Sequence, residues 1–122
     1  MKQCAKCPWK LTTDPSEIPD GYDPVKHEAL RATIAEPGRF SAAPLRLRLM
    51  ACHEFPVGAE RACVGWLAHQ LGPGNNIALR LAARDMRFGS IDLEGAQCRS
   101  FDETLLPIEE RLELLAARGE DA

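Results

Sequence analysis

Apolar residues recur along the chain at two different spacings, and the changes of spacing mark its elements. From Leu45 to Ala51 leucine alternates with arginine (Leu45, Arg46, Leu47, Arg48, Leu49), then Met50 follows. Period two predicts a half-buried strand with its arginine face turned outward. Pro44 fits the start of such a strand, and Cys52-His53-Glu54 lies at its end. Elsewhere the spacing is helical. Asp23 before Pro24 is a helix start, a capping carboxylate followed by proline at the first helical position. Val25, Ala29, Leu30 and Ile34 form the apolar face, and Pro37-Gly38 ends the helix. From about Arg61 to Leu71 a second helix carries Cys63, Trp66, Leu67 and Leu71 on related faces, stopped by Gly72-Pro73-Gly74. Asn75 or Asn76 caps a third helix with Ile77, Leu81 and Ala82 as its buried stripe. Phe88 to Leu93 reads as a short strand or an extended segment. Asp102 caps a turn that runs to Leu106. Pro107 opens a final helix with Ile108, Leu112, Leu115 and Ala116 apolar and Gly119 beyond its end. The expected fold is α+β, a small zinc-stapled domain of about four helices with a short β-sheet or hairpin. It is one domain, 1–122, with an acidic helix at 107–118.

The zinc in that expectation comes from the cysteines. Cys4-Ala5-Lys6-Cys7-Pro8-Trp9 opens the chain with a C-x-x-C pair, a turn that brings two sulfurs to one side. Tetrahedral zinc takes four such ligands. Cys52 and Cys63 are the best remaining pair, one at the end of the expected strand and one at the start of a helix. Pro8 stiffens the exit from the knuckle, and Trp9 can cover the site. His53 is the alternative fourth ligand. Adjacent side chains on an extended segment point to opposite faces, so Cys52 and His53 do not serve one ion together, and Cys52 is preferred. The same four thiols suit an iron–sulfur cluster, a C-x-x-C is also a redox dithiol, and four reduced core cysteines are the plain structural reading. Cys98 is a spare fifth thiol with a structural role. A redox dithiol belongs in a βαβ setting, which the N-terminal position of this pair does not offer.

Charge changes the picture in one respect. The net charge of −3 is uneven: residues 101–122 hold seven acids and two arginines, −5, which leaves +2 for the rest. No broad basic footprint marks a nucleic-acid binder. Four thiolates on Zn2+ add a formal −2, and Lys2, Lys6 and Lys10 are placed to offset it. No apolar run approaches a membrane span of about 18 residues, and Met1-Lys2-Gln3-Cys4 does not open a secretory signal. The expected compartment is the cytosol, where paired cysteines stay reduced.

The enzymatic alternative rests on Cys52-His53-Glu54. Zinc deaminases place a glutamate two residues after a ligand, but their P-C-x-x-C follows the glutamate, whereas here the C-x-x-C precedes it. Four cysteines would also close the coordination position that catalysis needs. Gly72-Pro73-Gly74-Asn75-Asn76 lacks the lysine and spacing of a phosphate loop and reads as a connector between helices. His27 is expected at the surface, and His69 as a surface or satisfied polar group.

Taken together, Cys4-x-x-Cys7-Pro8-Trp9-Lys10, then Met50-Ala51-Cys52-His53, then Ala62-Cys63-Val64-Gly65-Trp66-Leu67 resemble a small zinc-binding family of bacteria and their phages, a domain with no assigned activity. Its pattern is C-x-x-C-P-W-R/K, a strand ending in C-H, and C-x-G-W/F-L; Lys10 stands where arginine is commoner. Gly72 to Leu81 also looks like its members, so the resemblance covers roughly residues 2–105. It implies a zinc-binding domain of the bacterial cytoplasm, encoded by a bacterium or a phage. The expected function is a non-enzymatic accessory protein with structural Zn2+ that contacts a host or phage protein, with no membrane role. A nucleic-acid-binding zinc module and a hydrolase or deaminase-like enzyme using Glu54 are the alternatives.

Overall fold

The structure, a computed structural model, describes residues 1–19, 22–35, 49–52, 62–84 and 90–119. Its elements are α1 (Pro24–Ala29), α2 (Val64–Leu71), α3 (Ile77–Ala83), α4 (Phe101–Thr104) and α5 (Ile108–Arg118), with 3₁₀ turns at Pro15–Glu17 and Leu30–Thr33. The α+β expectation is overturned. Among the described residues there are five α-helices and no β-strand, and extended segments meet only at three isolated bridges: Lys2–Asp92, Lys10–Gln97 and Ala51–Ala62. The reason is local. Next to Ala62, Cys63 already serves as the N-cap of α2. Past Lys10 the chain turns at once, the Thr13 amide bonding the Lys10 carbonyl at 3.0 Å. On those sides neither pairing continues into a ladder. Most of the Leu–Arg alternation, Leu45 to Arg48, lies outside the described residues.

The helix signals hold at the starts of α1, α3 and α5, while α2 begins at Val64 and not near Arg61. The Asp23 carboxylate accepts from the Val25 amide at 2.8 Å, with Pro24 in the first turn. Asn76, not Asn75, caps α3, accepting from the Leu79 amide at 3.1 Å. Gly119, at φ 66°, ends α5 in the left-handed region that glycine enters freely. The α4 helix, missing from the expected set, is capped by Ser100 and not by Asp102. The Ser100 hydroxyl accepts from the Glu103 amide at 3.4 Å, and the Glu103 carboxylate reaches back one residue past the N-cap to the Arg99 amide at 2.9 Å.

The buried faces differ more. The six residues of α1 make under two turns, and the side chain turned inward is His27, not Val25, which is 79% exposed. His27 stacks on Phe101 with centroids 5.3 Å apart, and its Nε2 meets the Thr104 hydroxyl at 2.9 Å. In α3 the buried residue is Leu79, while Ile77 and Leu81 are exposed. In α5 Arg111 and Leu115 are buried and Leu112 is half exposed. The core joins Trp9, Leu11, Met50, Trp66, Leu67, Leu79, Phe101 and Leu115 around Cys7, Cys63 and Cys98. Among the described residues no helix is long and apolar enough to cross a membrane.

Candidate metal centre

The N-terminal knuckle is held by the segment 90–98 along nearly its whole length. The Gln3 amide bonds the Asp92 carbonyl at 2.9 Å, Asp92 returns to the Met1 carbonyl at 2.7 Å, the Cys98 amide bonds the Trp9 carbonyl at 2.7 Å, and Leu11 bonds Ala96 at 2.9 Å. The Gln3 and Gln97 side-chain amides bond each other reciprocally, both at 2.8 Å. Within the knuckle the Cys7 amide donates to the Cys4 carbonyl (3.3 Å) and the Lys10 amide to the Cys7 carbonyl (3.0 Å). The Thr13 hydroxyl adds a second bond to the Cys7 carbonyl at 2.7 Å. Helix α2 lies against this turn at Gly65, where a Cβ would stand 2.5 Å from the Trp9 Cβ and 2.9 Å from the Cys7 sulfur. That close approach needs glycine.

The other cysteine pair is joined by the single antiparallel bridge Ala51–Ala62, reinforced by the Cys63 amide bonding the Met50 carbonyl at 2.8 Å. It brings Cys52 and Cys63 beside each other and against the knuckle. The Cys52 and Cys4 sulfurs are 3.2 Å apart, and those of Cys7 and Cys63 are 3.6 Å apart. Cys4 and Cys7 perturb each other's ionisation, so the two pairs are electrostatically linked. None of the four is in a disulfide. Cys7 and Cys63 are fully buried, Cys52 nearly so, and Cys4 is half-buried at the edge.

This cluster shares its protons unevenly. Hydrogen bonds from Cys4 and Cys63, with help from the Trp9 amide and the Gln3 side chain, hold Cys7 down at about 3. The bond to Cys52, then that to Cys7 and burial, push Cys4 far above the ordinary thiol range. Its bond to Cys7 and its burial push Cys63 up, while the Trp66 amide in the first turn of α2 favours its thiolate. Thiolates in contact repel one another, which drives this uneven sharing. Among the described residues no three His, Cys, Asp or Glu side chains already stand in metal-holding geometry. The four sulfurs are drawn together as hydrogen-bonded thiols.

No family model matches the chain, and no curated protein or solved structure is similar to it.

Of the sequence-derived site residues, Cys4, Cys7, Cys52 and Cys63 are brought together, while His53 and Glu54 lie outside the described residues. Cys98 stands apart from the four: its sulfur donates to the Pro8 carbonyl at 3.6 Å, and burial pushes its thiol up to about 12. The lysines are engaged elsewhere, Lys6 with Glu17 at 3.0 Å and Lys10 with Glu94 at 3.1 Å. Arg46 and Arg48 lie outside the described residues. Trp9 is buried, stacked on His69 (4.6 Å) and bonded through Nε1 to the Met50 sulfur at 3.4 Å. A cavity of about 570 Å³ opens beside it, bounded by Ala68, His69 and Pro73 on one side and by Leu93 and Ala96 to Arg99 on the other.

Three residues that the sequence did not single out organise this region. Gln3 supports Cys7 from the knuckle's first turn. Gln70, fully buried, accepts at Oε1 from the Ala35 amide (2.9 Å) and the Asn76 side chain (3.0 Å), and donates to His69 (3.0 Å). Arg111 spans from α5 to the knuckle. A charged residue four positions before a buried leucine on an apolar stripe was the one signal for it.

Proposed function

We propose that this chain is a small non-enzymatic zinc protein: Zn2+ bound by Cys4, Cys7, Cys52 and Cys63 staples its N-terminus to the middle of the fold, and the stapled surface contacts another protein. The observation that carries the reading is the meeting of four cysteine sulfurs from three separate stretches of chain, at 3.2 and 3.6 Å within the pairs, in a site backed by amides. A tetrahedral site with Zn–S near 2.3 Å has sulfur–sulfur edges of roughly 3.8 Å. The Cys7–Cys63 edge is close to that, and the Cys4–Cys52 edge must open by about half an ångström, at the half-buried end of the site.

Zn2+ would replace the shared protons and let all four sulfurs ionise. Four sulfur ligands leave no open position for water or substrate, which supports a structural metal over a hydrolytic one. Lys6 and Lys10, two of the cations a nucleic-acid module would use, are paired with carboxylates. The resemblance of the cysteine motifs to a bacterial and phage zinc family supports a bacterial cytoplasmic setting and a host or phage protein as partner.

Native mass spectrometry of the purified chain tests the metal: one zinc per chain is expected, and a folded, metal-free protein overturns the reading. Cys52→Ser should then abolish zinc retention, while His53→Ala should keep it. The opposite result would give the fourth position to His53.

A further inference from the structure

Arg111 has no solvent exposure, and its guanidinium is spent on carbonyl oxygens. Nε donates to Leu106 at 2.8 Å, Nη1 to Pro8 at 2.9 Å and Lys10 at 3.0 Å, and Nη2 to Thr104 at 2.5 Å. Nη1 also lies 3.9 Å from the Cys98 sulfur. Among the described residues no carboxylate pairs with it. A buried cation without a counter-anion is costly, and carbonyl dipoles offset that cost only in part. Two of its four carbonyls belong to Pro8 and Lys10, which flank Trp9 directly after Cys7. The same Lys10 residue donates its amide to the Cys7 carbonyl. The arginine therefore grips the turn that aims a cysteine of the cluster, and it lies within electrostatic range of Cys7.

We infer that Arg111 is a positioning residue of the metal centre and its built-in counter-cation: it fixes the Pro8–Lys10 turn and balances the net negative charge of the tetrathiolate site. The inference rests on the zinc reading above. It explains why an arginine sits in the apolar stripe of α5 where a leucine would fill the space. It also makes metal loading and the docking of α5 favour one another, since each ligand-dependent preference is reciprocal. Lysine, with one point charge in place of a planar fork, would reach fewer of the four carbonyls.

The test is competition for Zn2+ between a chromophoric chelator and the full-length chain, with Co2+ as spectroscopic probe. Wild type is compared with Arg111→Met, Arg111→Lys and Leu115→Ala, which loosens the same helix without touching a charge. Arg111→Met should bind Zn2+ roughly 10–100-fold more weakly and shift the Co2+–thiolate absorption, Arg111→Lys should fall between it and wild type, and Leu115→Ala should stay within about threefold. If Arg111→Met does not fold, weaker binding by Arg111→Lys than by Leu115→Ala sustains the inference. Arginine variants that match wild type, or a Leu115→Ala loss as large as theirs, overturn it and leave the zinc reading standing. A wild-type chain that takes up neither Zn2+ nor Co2+ overturns both.

Discussion

Gly65 has no room above its Cα, and the nearest atom in the way is not a flexible end. A methyl carbon on Gly65 would lie 2.5 Å from the Trp9 Cβ, which carries a fully buried ring, and 2.9 Å from the Cys7 sulfur of the thiol cluster. Alanine ordinarily gains up to about 1 kcal/mol over glycine inside a helix. Here overpacking, typically costing about 1–3 kcal/mol, outweighs that gain. Gly65→Ala is expected to lower the urea midpoint and, if the proposed zinc is bound, to weaken its retention; an unchanged or raised midpoint would contradict the packing.

His69 gives a second residue-scale expectation. Its Nε2 meets the Arg99 carbonyl at 3.0 Å, which fixes the proton there, and its Nδ1 accepts from Gln70. Gln70 cannot turn its oxygen to His69, because that oxygen already holds two donors. Protonated His69 would set donor against donor, and burial itself lowers its pKa below the ordinary 6.5. The neutral ring therefore contributes stability that is fully present above about pH 6.5 and is lost as pH falls through the window between that value and the lowered native one. His69→Gln should flatten the decline in unfolding free energy over this window. An equal decline in both proteins would refute the assignment.

At the scale of elements, α3 separates pattern from burial. Its apolar residues are Ile77, Leu79 and Leu81, and the seven-residue helix turns only Leu79 fully inward. Leu79→Ala should cost about 2–5 kcal/mol and Leu81→Ala well under 1 kcal/mol, read from denaturant unfolding. Equal losses would mean that the exposed face is covered. The N-cap at Asn76 matters more than a surface cap would. Its side chain also donates to Gln70, so Asn76→Ala should exceed the usual loss of about 1 kcal/mol. These element starts were readable from single residues, because a cap acts on amides two or three positions away. The buried faces were not, because short helices have several apolar residues and the neighbour decides which one is covered. His27 lost its expected surface place to the Thr104 hydroxyl and the Phe101 ring, both more than 70 positions downstream.

For the whole molecule, the ends of the chain meet in the middle. The knuckle is bonded to residues 90–98, to Met50 and Cys63, and through Arg111 to the last helix. With so small a core, a metal staple contributes directly to folding, since apparent binding free energies of structural zinc run to about 10–16 kcal/mol. If the proposed zinc is bound, its removal with a strong chelator should lower the melting temperature by tens of degrees, at about 2–8 °C per kcal/mol for a domain of this size range. A melting curve indifferent to chelation would show that the thiols hold the fold without metal.

The cysteine spacing, the C-x-x-C turn, the helix caps and the glycine stops are local chemistry, and the sequence by itself determined them. The partnership of Cys4 and Cys7 with Cys52 and Cys63 was legible for the same reason: few residue types can do what four thiols do, so their identity narrows their use. The absence of a sheet among the described residues and the inward faces of α1, α3 and α5 belonged to the tertiary structure. So did the roles of Gln3, Gln70 and Arg111. Each depends on which distant carbonyl, ring or sulfur comes to lie opposite, and periodicity along the chain carries no record of that.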